Sequence, residues 1–93
     1  MVTVLTTAVF DKAVKKLHSN EKSDLDTAVK YLIFNPEAGE MKRGDLTGVL
    51  VYKFKMVNQL TLPAYTWTED ILTLTLLALG SHENFYRDIK RSL

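Results

Sequence analysis

Three strand-like runs with very short breaks between them constrain the fold of this chain more than any other feature of its sequence. They cover residues 49–57, 59–66 and 71–79. The breaks are too short for a helical crossover, so we expect consecutive strands to pair antiparallel. The first run alternates between two kinds of residue, which predicts different environments for its two faces. One face carries Leu50, Tyr52, Phe54 and Met56, and the other carries Val49, Val51, Lys53 and Lys55.

The second and third runs differ in how well they suit the middle of a sheet. Pro63 lies within the second run and has no amide hydrogen to donate to a neighbouring strand. We therefore expect that strand to be bulged or unpaired at Pro63. The run over residues 71–79 is the most apolar of the three, and we expect it to be central. A tight turn at Asn58 is predicted to join the first two runs.

Two helical patterns precede the strands, and a short β-branched run over residues 2–6 precedes the helices. Apolar residues recur at helical spacing over residues 8–18 and again over residues 21–34. We expect Thr7 to cap the first helix, and Asn35-Pro36 to end the second. Asp26 and Lys30 are spaced to form an ion pair along the second helix. His18, at the predicted end of the first helix, is interpreted as structural.

The order of elements predicts a single α+β domain over residues 1–93. In it, an N-terminal strand and an antiparallel two-helix hairpin pack on a small antiparallel sheet. The connector over residues 37–48 contains three glycines and has no apolar period, so we expect a loop there. Ser81 follows Gly80 as a suitable N-cap, which predicts a short C-terminal helix over residues 83–91.

Composition excludes several classes of site and protein. The chain has no cysteine, and its two histidines are far apart, so we expect no metal site and no cofactor. No basic region followed by an apolar run marks a signal peptide, and no apolar stretch is long enough to cross a membrane. The formal net charge is only +1, which does not by itself indicate a polyanion partner. These features are typical of a cytoplasmic protein.

Lys53 and Lys55 are the first candidate functional residues, because they share one face of a strand. Paired lysines on an exposed sheet face commonly serve solvation and protection of a sheet edge. The functional alternative is a phosphate clamp. Two ammonium groups separated by about 7 Å match neighbouring phosphates of a nucleic-acid backbone.

The second candidate is the polar and aromatic cluster that directly follows the most apolar strand. It includes His82, Tyr86 and Arg87, and we expect it to emerge beside the face that carries the two lysines. An imidazole titrates near neutral pH and suits general acid or base catalysis. An aromatic ring can stack on a base, and a guanidinium can neutralise a phosphorane-like transition state. The structural alternative is helix capping and packing, with a solvated Arg87.

Five ordered segments of the sequence also match a known pattern. They are Phe-Asp-Lys-Ala at residues 10–13, Asn-Pro at 35–36, Lys-Arg-Gly-Asp-Leu-Thr-Gly at 42–48, Tyr-Lys-Phe-Lys at 52–55, and Leu-Gly-Ser-His-Glu-Asn-Phe-Tyr-Arg-Asp at 79–88. With these segments the chain resembles the RelE/ParE superfamily of bacterial type II toxins over essentially its whole length. The ending resembles the histidine-bearing, YafQ-like branch.

The resemblance implies a growth-inhibiting toxin that is neutralised by a cognate antitoxin protein, as in plasmid-stabilisation systems. RelE-like members cleave mRNA on the ribosome by attack of the 2′-hydroxyl on the adjacent phosphate, without a metal. By this resemblance, Lys53 and Lys55 would hold the phosphate and His82 would take the place of a catalytic arginine. Tyr86, with Phe85 as its rival, matches the C-terminal aromatic, and Arg87 would add charge.

Two alternatives remain open at this point. ParE-like members instead poison DNA gyrase and need no chemistry of their own. Gln59, Leu50 and Pro63 depart from the RelE pattern, so an attenuated toxin that only binds its antitoxin is the other alternative. All three hypotheses share an antitoxin partner. We expect aromatic residues such as Tyr65 and Trp67 to be exposed for that contact.

Overall fold

The structure, a computed structural model, describes residues 2–41, 48–57 and 59–81. Within these residues the helices and strands follow one another in nearly the predicted order. The predicted C-terminal helix lies outside the described residues. The helices are α1 (Ala8–Lys15) and α2 (Ser19–Phe34), and a short 3₁₀ turn spans Glu69–Ile71. The strands are β1 (Thr3–Thr6), β2 (Glu40–Met41), β3 (Leu50–Val51), β4 (Phe54–Met56), β5 (Gln59–Thr68) and β6 (Thr73–Ser81).

The six strands form one mixed sheet in the order β1-β6-β5-β3-β2, and β4 pairs with β5 beyond the end of β3. The predicted antiparallel pairing of the late strands is confirmed. The N-terminal strand differs from the prediction, because β1 joins the same sheet and runs parallel to β6. The sheet is therefore mixed rather than wholly antiparallel. The middle position belongs to β5, and β6 lies between β5 and β1.

The first predicted strand is divided into β3 and β4 at the position opposite Pro63. The Tyr52 N–H donates to the Pro63 carbonyl at 3.2 Å, but proline has no N–H with which to return the bond. The register does not change across the gap, since Val51 pairs with Ala64 before it and Phe54 with Thr61 after it. The predicted disturbance at Pro63 is thus an interruption between β3 and β4. β5, which contains Pro63, is continuous.

A β-bulge in β6 changes the alternation of that strand. Ala64 pairs with Ala78 but Tyr65 pairs with Leu76, so Leu77 is the extra residue. The Thr7 hydroxyl donates to the Leu77 carbonyl at 2.6 Å and accepts the Phe10 N–H at 3.2 Å. Thr7 therefore caps α1, as predicted, and also ties the start of that helix to the bulge.

The helices cover one face of the sheet. α1 packs on β6 and α2 packs on β4, and the loop between the two helices has only three residues. α2 begins earlier than predicted, because the His18 N–H donates to the Glu21 carboxylate at 2.9 Å. Asp26 and Lys30 form the expected ion pair at 3.0 Å, and since both side chains are largely exposed it adds little to stability. The main core comprises Phe10, Leu25, Leu32, Leu50, Met56, Tyr65, Leu74 and Leu76.

Tyr65 is fully buried, which corrects the expectation that it is exposed. Its hydroxyl donates to the Pro36 carbonyl at 2.7 Å and accepts the Gly39 N–H at 2.9 Å. Burial raises the pKa of Tyr65 above its usual value, and the hydrogen bond from Gly39 opposes that shift. A Cβ on Gly39 would lie 2.6 Å from the hydroxyl oxygen, so only glycine allows this approach. The chain that leaves α2 is thereby anchored to the middle strand.

Trp67 was also expected to be exposed, but it is partly buried. It packs against the main core. No helix in the described part of the chain is long and apolar enough to cross a membrane.

Candidate functional site

Lys53 and Lys55 are both exposed and alternate with residues that face the helices, and Lys55 also lines a groove between α2 and β4. Their neighbours along the chain, Tyr52 and Phe54, pack towards the main core, as the alternation predicts. Lys55 pairs with Leu60 across β4 and β5, and the unchanged register places Lys53 opposite Leu62. The two ammonium groups therefore stand on the same side of one strand, free to meet a ligand.

The end of β6 lies two strands away from these lysines. Thr61 of β5 pairs with Phe54 on one side and with Ser81 on the other. Because neighbouring strands are about 4.8 Å apart, the backbones of Phe54 and Ser81 are roughly 10 Å apart. His82 follows Ser81 directly in the sequence. His82, Tyr86 and Arg87 themselves lie outside the described residues.

The middle strand contributes no positive charge to this site. β5 contains neither lysine nor arginine, and Leu62, which stands opposite Lys53, is fully buried. The rest of this face is built from small or aliphatic side chains. They are Val49, Val51, Leu62, Ala64 and Ala78. These residues form a second buried cluster, and the two exposed lysines lie beside it.

A cleft of about 460 Å³ lies between α1 and the neighbouring ends of β4, β5 and β6. Lys12 and Lys16 stand on its α1 side, and Gln59, Thr61 and Gly80 on its sheet side. We did not predict this cleft, although the spacing of Lys12 and Lys16 by four residues places both on one side of α1. It brings two lysines, together with the Glu21 carboxylate, near the end of β6.

A second groove, of about 310 Å³, runs between α2 and β4. A row of aromatic rings lines one side of it. Tyr31 stacks on Tyr52 with ring centroids 5.6 Å apart, and Tyr52 stacks on Phe54 at 6.5 Å. Tyr31 remains 48% exposed despite this stacking. The alternation along residues 50–56 predicts that the rings of Tyr52 and Phe54 face the helices. Their contact with α2 depends on the tertiary structure.

Among residues 2–41, 48–57 and 59–81, no three His, Cys, Asp or Glu side chains come together in a way that could hold a metal ion. The candidate functional groups in the described part of the chain are the exposed lysines and, on the helix side of the sheet, the row of aromatic rings. Such groups can bind a phosphodiester and stabilise negative charge on it.

Comparison with protein families gives one match that spans nearly the whole chain. A sequence model of the ParE-like toxins of type II bacterial toxin–antitoxin systems matches residues 4–90. Comparison with curated proteins gives no match.

Comparison with solved structures shows the same fold. A mutant of the Escherichia coli toxin RelE in the free state superposes with a TM-score of 0.74 at 14% identity, over 98% of this chain and 92% of that one. The intact E. coli RelBE toxin–antitoxin complex gives 0.71 at 13% identity, over 87% and 96%. The YoeB/ParE toxin from Agrobacterium tumefaciens gives 0.70 at 12% identity, over 87% and 99%. At these identities the likeness establishes the fold.

Proposed function

Because this chain belongs to the family of ParE-like toxins of type II toxin–antitoxin systems, we propose that it is a toxin that cleaves mRNA on the ribosome. The observation that carries this proposal is the exposed pair Lys53 and Lys55. Both lysines are exposed, two strands from the point where the sequence continues to His82. Paired cations can stabilise charge on a phosphate, and an imidazole close by in the sequence suits acid or base catalysis.

The proposed reaction is an internal transfer at one phosphodiester. The 2′-oxygen forms a bond to phosphorus as the bond to the 5′-oxygen breaks, which leaves a 2′,3′-cyclic phosphate and a 5′-hydroxyl. One proton leaves the 2′-hydroxyl and another reaches the departing 5′-oxygen. Lys53 and Lys55 would stabilise the charge that develops on the phosphate oxygens. His82 would carry one of the two proton transfers, since its imidazole changes charge near neutral pH.

The C-terminal residues would complete the site. Arg87 would add a further charge on the phosphate, and Tyr86 would stack on a base of the substrate. The reaction needs no cofactor. We further propose that the protein acts in the cytoplasm and is neutralised by a cognate antitoxin, since a structure of similar fold is that of a toxin–antitoxin complex.

Controlled expression without antitoxin tests this function, with transcript 5′ ends and DNA breaks mapped in the same cells. New 5′ ends within coding regions that disappear in the Lys53→Ala and His82→Ala variants would support cleavage. Cleavage that persists in both variants would contradict the proposed site. Equal protein levels, measured by immunoblot, make the variants comparable.

A gyrase poison is the second candidate, favoured by the absence of any lysine or arginine in β5. In that case the helices and the C-terminal segment would be contact surfaces and His82 a cap. Trapped DNA breaks with intact transcripts would establish it. A lack of any growth defect would instead identify an attenuated toxin.

A further inference from the structure

The outer side of β1 is a sheet edge with which no described strand pairs. β1 lies at one end of the strand order, and β6 is its neighbour on the inner side. The Thr7 N–H donates inwards to the Leu76 carbonyl of β6 at 3.1 Å. Successive residues of a strand direct their backbone groups alternately to its two sides. The N–H and C=O groups of Val2, Val4 and Thr6 therefore point outwards.

This edge differs in charge from the opposite side of the sheet. Residues 1–10 contain no Asp, Glu, Lys or Arg, whereas β2 and the segment 50–56 carry Glu40, Lys53 and Lys55. Charged side chains along an edge discourage its pairing with a copy of itself. The edge of β1 has no such protection, and two copies of it would meet without repulsion between like charges.

The side chains along the β1 edge are apolar and exposed. Val4 is 37% exposed and Leu5 is 51% exposed. Ile71, which is 67% exposed, lies near the start of the same strand, because the Thr3 N–H donates to the Leu72 carbonyl at 2.9 Å. A strand added at this edge would cover part of this apolar surface as well as bond to the backbone.

The alternation of β1 determines how two copies can pair. Two copies related by a two-fold axis run antiparallel, and residues that face each other lie on the same face of the joined sheet. A residue must therefore face its own counterpart. If Val4 faces Val4, then Val2 faces Thr6, and all the outward residues exchange N–H to C=O bonds. An axis at Leu5 would instead place Val2 opposite Ala8, which belongs to α1.

We propose that two copies of this chain associate through β1, antiparallel and with Val4 at the two-fold axis, to form one continuous sheet. The inference is independent of the proposed function. β5 and β6 separate β1 from β4, so Lys53 and Lys55 stay exposed in the pair. A contact this short buries less than about 1,200 Å², and such interfaces are weak and transient. We expect a dissociation constant of about 10–100 µM.

Sedimentation velocity of the purified full-length chain, from about 5 to 500 µM, tests the association. Val4→Pro removes the outward N–H at the axis, and an edge strand tolerates proline where the N–H faces away from its neighbour. Val4→Thr is the matched control, since it keeps both the N–H and the branched side chain. We expect Val4→Pro to weaken the dimer at least about tenfold and Val4→Thr to stay within roughly threefold. Thermal unfolding checks that both variants fold.

Disulfide cross-linking tests the register without removing any backbone bond. The chain has no cysteine, so one substitution introduces one thiol. Facing Val4 residues would have Cα atoms about 5.5 Å apart, within the range of a disulfide, whereas the two Leu5 residues would be about 8 Å apart. We expect Val4→Cys to form covalent dimers in a glutathione buffer at least about tenfold faster than Leu5→Cys. Random collisions would favour Leu5→Cys, because Leu5 is the more exposed.

Three outcomes would overturn the proposal. The chain remains monomeric up to about 500 µM, or Val4→Pro dimerises as tightly as Val4→Thr, or Leu5→Cys cross-links as fast as Val4→Cys. None of these measurements involves RNA. A chain that dimerises as described but leaves transcripts intact would keep this inference and lose the nuclease. A monomeric chain that cleaves RNA would do the reverse.

Discussion

The two faces of the sheet arise from the same strands but are built from different kinds of side chain. The helix face buries large residues such as Tyr65, Leu74 and Leu76 beneath α1 and α2. The opposite face has smaller residues such as Val51 and Ala78, and Lys53 and Lys55 stand exposed at its margin. Alternation along a strand thus assigns most of the packing to one face. The opposite face buries a second, smaller apolar cluster, and only the lysines beside that cluster are exposed.

A pair of alanine variants, one on each face, tests this division most strongly. Leu74→Ala removes a fully buried side chain of the helix face and should lower the free energy of unfolding by about 3–4 kcal/mol. Lys53→Ala removes an exposed side chain and should change it by less than about 0.5 kcal/mol. The same Lys53→Ala should reduce RNA cleavage by about 100-fold, as the loss of one group that stabilises charge commonly does.

Urea denaturation and a ribosome-based cleavage assay measure the two effects on the same samples. If Lys53→Ala lowers the free energy of unfolding as much as Leu74→Ala does, the two faces contribute alike to stability. A loss of cleavage without loss of stability would confirm that division.

Tyr65→Phe tests how much a buried hydroxyl on the helix face contributes to stability. The substitution keeps the ring but leaves the Pro36 carbonyl and the Gly39 N–H without the partner they now share. Buried groups without partners are costly, so we expect a loss of about 2–3 kcal/mol in the free energy of unfolding. Tyr52→Phe is the matched control, because no described residue bonds to the Tyr52 hydroxyl; it should change stability by less than about 0.5 kcal/mol.

The same tyrosine makes stability depend on alkaline pH. Burial raises the pKa of Tyr65 above its usual value of 10.0, so the folded protein keeps a proton that the unfolded chain loses. The stabilising contribution is therefore complete below pH 10 and declines as the pH rises towards the raised pKa. Denaturation midpoints at a series of pH values above this point should fall more steeply for the natural protein than for Tyr65→Phe. Parallel curves would mean that Tyr65 does not contribute.

Thr7→Val tests the contact between the start of α1 and the β-bulge at Leu77. At this bulge the residues of β6 that face the helices shift by one position. Valine keeps the shape of threonine but loses the bonds to Leu77 and Phe10. We expect a loss of about 1–2 kcal/mol in the free energy of unfolding. Thr7→Ser retains the hydroxyl and should lose much less. Equal losses in the two variants would show that the methyl group, and not the hydroxyl, matters.

The sequence was sufficient to predict what depends on local pattern. Alternation placed Lys53 and Lys55 on the face away from the helices, and the chemistry of proline predicted a disturbance at Pro63. Helical spacing found both helices, and Thr7 was recognisable as a cap. Each of these features depends on residues close together in the chain or on the covalent chemistry of one residue.

What the sequence did not predict depends on contacts between distant residues. The parallel pairing of β1 with β6 joins residues about seventy positions apart, and a four-residue strand carries no sign of its partner. Tyr65 was expected at the surface because a domain of this size was not expected to bury all of its large aromatic residues. Its actual partners, Pro36 and Gly39, lie in a loop that has no periodic pattern. The groove along β4 likewise requires α2 to be in place.

Val57→Asn has the smallest expected effect, and it concerns the end of the lysine-bearing strand. Val57 adopts a φ of 50° at the turn into β5, a conformation that is unfavourable for a β-branched residue and acceptable for asparagine. Its side chain is 43% exposed, so little packing is lost, and the backbone N–H can still bond to Asp24. We expect the free energy of unfolding to rise by about 1 kcal/mol, measured by urea denaturation. Asp24→Ala should reduce the stability of both proteins equally, because the bond comes from the backbone of residue 57 and not from its side chain. Unequal losses would show that the side chain at this turn also helps to position the edge of β4.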